Sequence, residues 1–218
     1  MSQALVFGAR YSVYVRIVRL ALEEKKVPYD LIDIDIFAQD GPPGDYLERH
    51  PFGRIPAFEH DGFRLYETGA IIRYVEEVFP GIALLPDGPR NRARVDQVVS
   101  ILDSYAYRIF VWDIFVERIH APKAGREPDE ERIAAALPKA ETCLQALERL
   151  KADHIWLSGP ELTLADLHAA PMFALFRLAK QGAELLARHP GLAAWWDLIA
   201  KRPGMAATRF PIEIGSTP

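Results

Sequence analysis

The sequence predicts an α/β domain followed by an all-helical domain, and three observations carry that prediction. Short apolar runs and period-two alternation occupy the first third of the 218 residues, whereas three- and four-residue apolar spacing fills the rest. The change falls across Pro80-Gly81 and Pro86-Asp87-Gly88-Pro89, a cluster of chain breakers. Within the first third, Asp61-Gly62 separates two short apolar runs, the signature of a tight antiparallel hairpin. These marks give a first domain over 1-80, a linker over 81-89 and a helical domain over 90-218. With 50% hydrophobic residues the chain can bury a full core.

Taken in order, Ala4 to Phe7 is a buried strand closed by Gly8, and Ser12 opens a helix whose apolar positions recur to Leu22. Pro28 ends that helix. Ile32, Ile34 and Ile36 then alternate with Asp33 and Asp35, which predicts a strand with one wet face. Gly41 to Gly44 reads as loop, followed by a polar segment to His50. The runs Ile55 to His60 and Phe63 to Tyr66 form the hairpin, and Glu67-Thr68 starts a helix ending near Phe79-Pro80. A strand-helix-strand crossover, a hairpin and a closing helix make the layout of a thioredoxin-like sheet, although other α/β arrangements share this order. Beyond Pro89, helical stripes run over 91–119, 128–151, 164–179 and 192–202.

Composition narrows the function classes. The 26 basic and 30 acidic residues give a net charge of -4 with no long block of one sign, which argues against a nucleic-acid partner. No stretch approaches the ~20 apolar residues of a membrane span, and Ala4 to Phe7 is too short for a signal segment. The only cysteine is Cys143, so no intrachain disulfide forms and no protein thiol is available in the first half; a cytoplasmic location is the expectation. The histidines at 50, 60, 120, 154, 168 and 189 contain no close pair at metal-ligand spacing, and no metal is assigned.

Three local features carry chemistry, each with a plainer reading beside it. Pro56 at the head of a strand leaves the backbone of Ile55 open to an extended ligand, or simply starts an edge strand. Glu67-Thr68 at a strand-to-helix junction suits a ligand carboxylate, or only caps the helix. Ser12 is an N-cap whose hydroxyl and helix end would also stabilise a thiolate. In the helical half, Thr163-Leu164-Ala165-Asp166 is a capping box with Leu162 and Leu167 at the staple positions, a folding signal rather than a catalytic one.

The segment His50-Pro51-Phe52-Gly53-Arg54-Ile55-Pro56-Ala57, the Asp-Gly hairpin and Glu67-Thr68 at this spacing resemble the cytosolic glutathione transferases over nearly the whole chain. The resemblance implies a cis Pro56, Ile55 backbone bonds to the cysteinyl part of glutathione, Glu67 and Thr68 on the γ-glutamyl amine and carboxylate, and Arg54 beside the same tripeptide. Ser12 occupies the place of the catalytic serine in theta-like and phi-like members, bacterial ones included; Tyr11 and then Tyr14 are the alternatives for the hydroxyl role. Tyrosine-type members carry their tyrosine where this chain has Phe7-Gly8. Cysteine-type members need a thiol near position 12, and zeta-type isomerases carry Ser-Ser-Cys where this chain has Ser12-Val13-Tyr14.

The resemblance thus implies a transferase that uses glutathione as co-substrate against a small hydrophobic electrophile. A glutathione-dependent peroxidase or disulfide reductase, or a non-catalytic binding protein with the same fold, are its rivals. Tyr105, Arg108 and Trp112 are candidates to line the electrophile site, although aromatics at 105 and 112 with Ile109 between them also suit a bundle core. A homodimer is implied, with Phe52 as a candidate contact.

Overall fold

A computed structural model describes residues 3–215 of the chain. The chain forms β1 (Ala4–Phe7), α1 (Val13–Glu24) and β2 (Tyr29–Ile32), a 3-10 turn at Gly44–Glu48, then β3 (Ala57–His60), β4 (Phe63–Tyr66) and α2 (Thr68–Val78). Next, α3 (Pro89–Ile101) runs into a π-helix (Leu102–His120) and the short α4 (Ala121–Lys123). The remaining helices are α5 (Glu130–Lys151), α6 (Leu164–Phe176), α7 (Lys180–Ala187), α8 (Pro190–Ile199), α9 (Pro203–Ala207) and α10 (Pro211–Ile214). Two compact units result: one runs to Ala83 and resumes at Arg202, and the other spans Leu84–Lys201. The first holds a thioredoxin-like α/β arrangement and the second is all helical, as the sequence predicts.

The sheet order is β2-β1-β3-β4, with β1 and β2 parallel and the other pairs antiparallel. Asp61 (φ 52) and Gly62 (φ 75) both take the left-handed conformation that a two-residue hairpin turn requires. The second strand departs from the sequence expectation, lying at Tyr29–Ile32 rather than over the alternating isoleucines. Its partner β1 has only four residues, and the last rung is the bond from Gly8 N–H to the Ile32 carbonyl at 2.9 Å. Past that rung the alternation persists without a ladder: Ile34 is buried while Asp33 and Asp35 face solvent.

Along α1, Val13, Val15, Ile17, Val18, Leu20, Ala21 and Leu22 are buried, and so are Arg16 and Arg19. The end of the chain meets these two cations. Arg16 pairs with Glu213 at 2.6 Å, donates to the Met205 carbonyl and lies over the Phe210 ring, while Arg19 donates to the Ala207 carbonyl.

In the helical unit all 13 residues of α6 are buried, the mark of a central helix, and all but Asp166 and His168 are apolar. Phe110 stacks on Phe176 at 4.2 Å, and Phe173 meets the edge of Trp195 at 5.0 Å. The Asp166 carboxylate, 0% exposed, accepts from Thr163 N–H and hydroxyl, Leu157 N–H and Trp195 indole N–H, all within 3.0 Å. Burial pushes its pKa up to about 6 against the pull of those donors. Leu162 and Leu167, at the staple positions, are both buried. The stripe expected over 91–119 is one continuous rod, but from Leu102 its bonding is π rather than α. The stripe expected at 192–202 falls in α8, which ends at Ile199, and both α7 and α9 lie outside the predicted stripes.

Candidate active site

One row of residues organises the first unit. Ile32, Phe7, Ala57 and Tyr66 stand opposite one another across the four strands. The segments that follow Ile32, follow Phe7, precede Ala57 and follow Tyr66 therefore all leave the sheet at the same end. Those segments carry Asp35, Ser12, Ile55-Pro56 and Glu67-Thr68. Gly8 lets them close up: a Cβ there would fall 2.4 Å from Val15 Cγ2 and 3.3 Å from Ile55 Cβ.

Ser12 is the N-cap of α1, with extended backbone (φ -78, ψ 128), and its hydroxyl oxygen accepts from Val15 N–H at 3.3 Å. That bond uses a lone pair, so the hydroxyl proton is left to donate elsewhere. The first turn of α1 holds no acidic residue, and its positive end is not neutralised from within the helix. Tyr11 sits beside it with its hydroxyl donated to Asp35 Oδ1 at 2.6 Å. Burial and the Asp35 carboxylate hold the Tyr11 phenol far above its ordinary value, while the same bond lowers Asp35. Asp35 also accepts from Phe37 N–H at 2.9 Å, which fixes its carboxylate. Tyr14 is half-buried in the first turn of α1.

The Ile55-Pro56 bond is cis. Pairing of β1 with β3 stops at Ala57, and among the described residues no backbone group bonds to Ile55. Arg54 is exposed, and its carbonyl accepts from the Tyr46 hydroxyl at 2.7 Å. Tyr46, 1% exposed on the 3-10 turn, is a contributor that sequence reading missed; burial pushes its phenol up to about 12. An aromatic residue within an otherwise polar loop was the one available signal.

Glu67 is the N-cap of α2 with φ 70 and ψ 113, a strained conformation for a residue with a side chain. Its carboxylate makes no capping bond and is exposed, while Thr68 behind it is buried. A free carboxylate beside the unpaired N–H groups of a helix start suits a ligand bearing an ammonium next to a carboxylate. Beneath it His50 is buried against Tyr66 at 4.9 Å; burial lowers its pKa, partly opposed by the Glu67 charge. Phe52 is 70% exposed and meets His50 and Tyr66 edge-on.

The remaining candidates lie on the π-helix of the second unit. Tyr105 is 61% exposed, Trp112 is half-buried, and Ile109 between them is in the core, so the three do not share one environment. Arg108 is exposed and donates to Asp113 at 3.0 Å. Cys143 is buried within α5, where burial pushes its thiol up to about 11. Among the described residues no group of three or more His, Cys, Asp or Glu is placed to hold a metal, and no helix is long and apolar enough to cross a membrane.

Comparisons with known proteins bear on both halves. The family model for the glutathione S-transferase N-terminal domain matches residues 6–83, and that for the glutathione S-transferase C-terminal domain matches residues 104–203. Glutathione S-transferase 4 of Zea mays is 30% identical over 213 residues, covering 97% of this chain and 95% of that protein. Among solved structures, glutathione transferase F7 from Populus trichocarpa is 28% identical, with a TM-score of 0.82 over 94% of this chain and 97% of that one. Glutathione S-transferase I from mais, in complex with an atrazine glutathione conjugate, is 25% identical with a TM-score of 0.82 over 95% and 96%.

Proposed function

The chain belongs to the glutathione S-transferase family, and we propose that it is a serine-type, theta/phi-like member in which Ser12 activates the thiol of bound glutathione. Its reaction is conjugation: the glutathione sulfur attacks a hydrophobic electrophile and forms the carbon-sulfur bond. That a relative of similar sequence holds an atrazine glutathione conjugate supports an electrophile of this class. Free thiols have a pKa of about 8.5 and are mostly protonated at neutral pH, so the enzyme must favour the thiolate. Two effects at Ser12 do so: a hydroxyl proton available for donation and the positive end of α1.

The observation that carries the reading is the row Ile32–Phe7–Ala57–Tyr66, which sends the Ser12, Ile55 and Glu67 segments out of one end of the sheet. In this reading the Ile55 backbone pairs with the cysteinyl residue ahead of Pro56, with Arg54 alongside. Glu67 meets the ammonium of the γ-glutamyl group, and Thr68 with the start of α2 meets its carboxylate. Tyr11 ranks below Ser12 because Asp35 already takes its hydroxyl; Tyr14 ranks third. Tyr105 and Trp112 line the electrophile site, with Arg108 beside them. The protein works as a cytoplasmic homodimer, and the exposed Phe52 ring supports a role at the contact.

A glutathione titration across pH, followed by thiolate ultraviolet absorbance, tests the proposal on the parent, Ser12→Ala and Tyr11→Phe. The parent and Tyr11→Phe lower the thiol pKa on binding; Ser12→Ala binds glutathione without lowering it. A parent that binds no glutathione ends the transferase reading, and a Ser12→Ala variant that lowers the thiol pKa as far as the parent does transfers the role to another hydroxyl.

A further inference from the structure

The first unit holds a groove of about 580 Å³ beside the edge strand β2, lined by Arg10, Arg19, Lys26, Glu23, Tyr29 and their neighbours. The groove extends from Glu23, roughly 16 Å along α1 from Ser12 at about 1.5 Å of rise per residue, to Arg10, which lies two residues before Ser12. Its charge is unbalanced, with three cations facing one carboxylate. Among the described residues, no carboxylate forms an ion pair with Arg10, Arg19 or Lys26.

Arg19 is the informative member. It is 3% exposed, and its guanidinium is held by neutral oxygens only: Nε donates to the Tyr29 hydroxyl at 3.1 Å and Nη2 to the Ala207 carbonyl at 3.2 Å. Nη1 is buried with no partner. The Tyr29 hydroxyl in turn donates to Glu23 Oε1 at 3.1 Å, which occupies one oxygen of the only acid in the lining. A buried guanidinium that reaches its nearest carboxylate only through a hydroxyl, and that carries an unused donor, is costly unless an anion approaches it. Arg10 and Lys26 add two exposed charges of the same sign at the groove wall.

We propose that this groove binds a small dianionic oxyanion group, of which inorganic phosphate is the simplest form. Arg19 supplies a fixed cation at its wall, Arg10 and Lys26 close on the anion from the solvent side, and Glu23 opposes it and limits the affinity. None of the residues proposed to hold glutathione lines this groove.

The test is a titration of the full chain with inorganic phosphate at pH 8 and constant ionic strength, read from backbone amide shifts of Lys26, Tyr29 and Leu31 against those of Val13 and Thr68. Saturable shifts at the first three are the expected result. Lys26→Gln and Arg10→Gln, both at exposed positions, each weaken the fitted affinity about fivefold, and Glu23→Gln strengthens it by a similar factor. Arg94→Gln, which removes an exposed arginine outside the lining, changes nothing. Shifts that stay linear with phosphate, that saturate only at Val13 and Thr68, or that respond to Lys26→Gln and Glu23→Gln in the same direction overturn the proposal.

Discussion

The starts of α1 and α6 are built from the same local chemistry and end in opposite states. At α6 a hydroxyl residue caps the helix, and Asp166 three positions later accepts four hydrogen bonds while wholly buried. At α1 a hydroxyl residue also caps the helix, but it is only half-buried, no acid stands in the first turn, and among the described residues its proton has no acceptor. The difference teaches that an N-cap is a folding device when the protein fills every donor and acceptor itself, and a binding device when it leaves some open.

The largest effect belongs to the filled site. Asp166→Ala strands four buried donors and is expected to cost roughly 3 to 5 kcal/mol in urea unfolding. A loss under 1 kcal/mol would break the comparison. At the open site the balance reverses: Ser12→Ala costs about 1 kcal/mol of stability, yet slows conjugation ~10 to 1000-fold at saturating glutathione. Equal losses of stability and rate would make Ser12 a plain cap.

Glu67→Gln keeps the backbone and removes only the charge. It raises the glutathione Kd about tenfold, measured by calorimetry, with an unchanged melting temperature because the carboxylate makes no capping bond. Tyr46→Phe removes the bond to the Arg54 carbonyl, costs about 1 kcal/mol, and raises KM for glutathione severalfold while kcat holds.

The smallest effect is a pH dependence at His50. Its folded pKa lies below the unfolded value, so the folded chain resists protonation; the contribution is present above the unfolded pKa and is lost as pH falls through the folded one. The Asp166 contribution runs the other way, being lost as pH rises through about 6. The difference in urea midpoint between the parent and His50→Gln, followed from pH 8 downward through the histidine range, therefore isolates the histidine. A constant difference removes it.

The caps at Ser12 and Thr163 and the Asp61-Gly62 turn were legible because each depends on a few adjacent residues. The strand at Tyr29–Ile32 was placed late because alternation of Ile32, Ile34 and Ile36 reports which side is wet, not where β1 runs out of rungs. Ser12, Ile55 and Glu67 could be named one by one, but the row that gathers their segments is a property of strand register. Tyr46 and Asp35 act on neighbours through tertiary contacts; an aromatic ring in a polar segment is the only local mark of the first, and nothing local distinguishes the second. The π bonding of Leu102–His120 was equally hidden, since apolar spacings of three and four suit an α-helix as well.

The return of α9 and α10 to Arg16 and Arg19 sets an order on synthesis. The helical unit is one continuous stretch from Leu84 to Lys201 and has its full complement of residues once that stretch has left the ribosome. The sheet unit, although translated first, acquires the carbonyl and carboxylate partners of two buried cations only when Met205, Ala207 and Glu213 arrive. The part of the chain made earliest is therefore the part completed last.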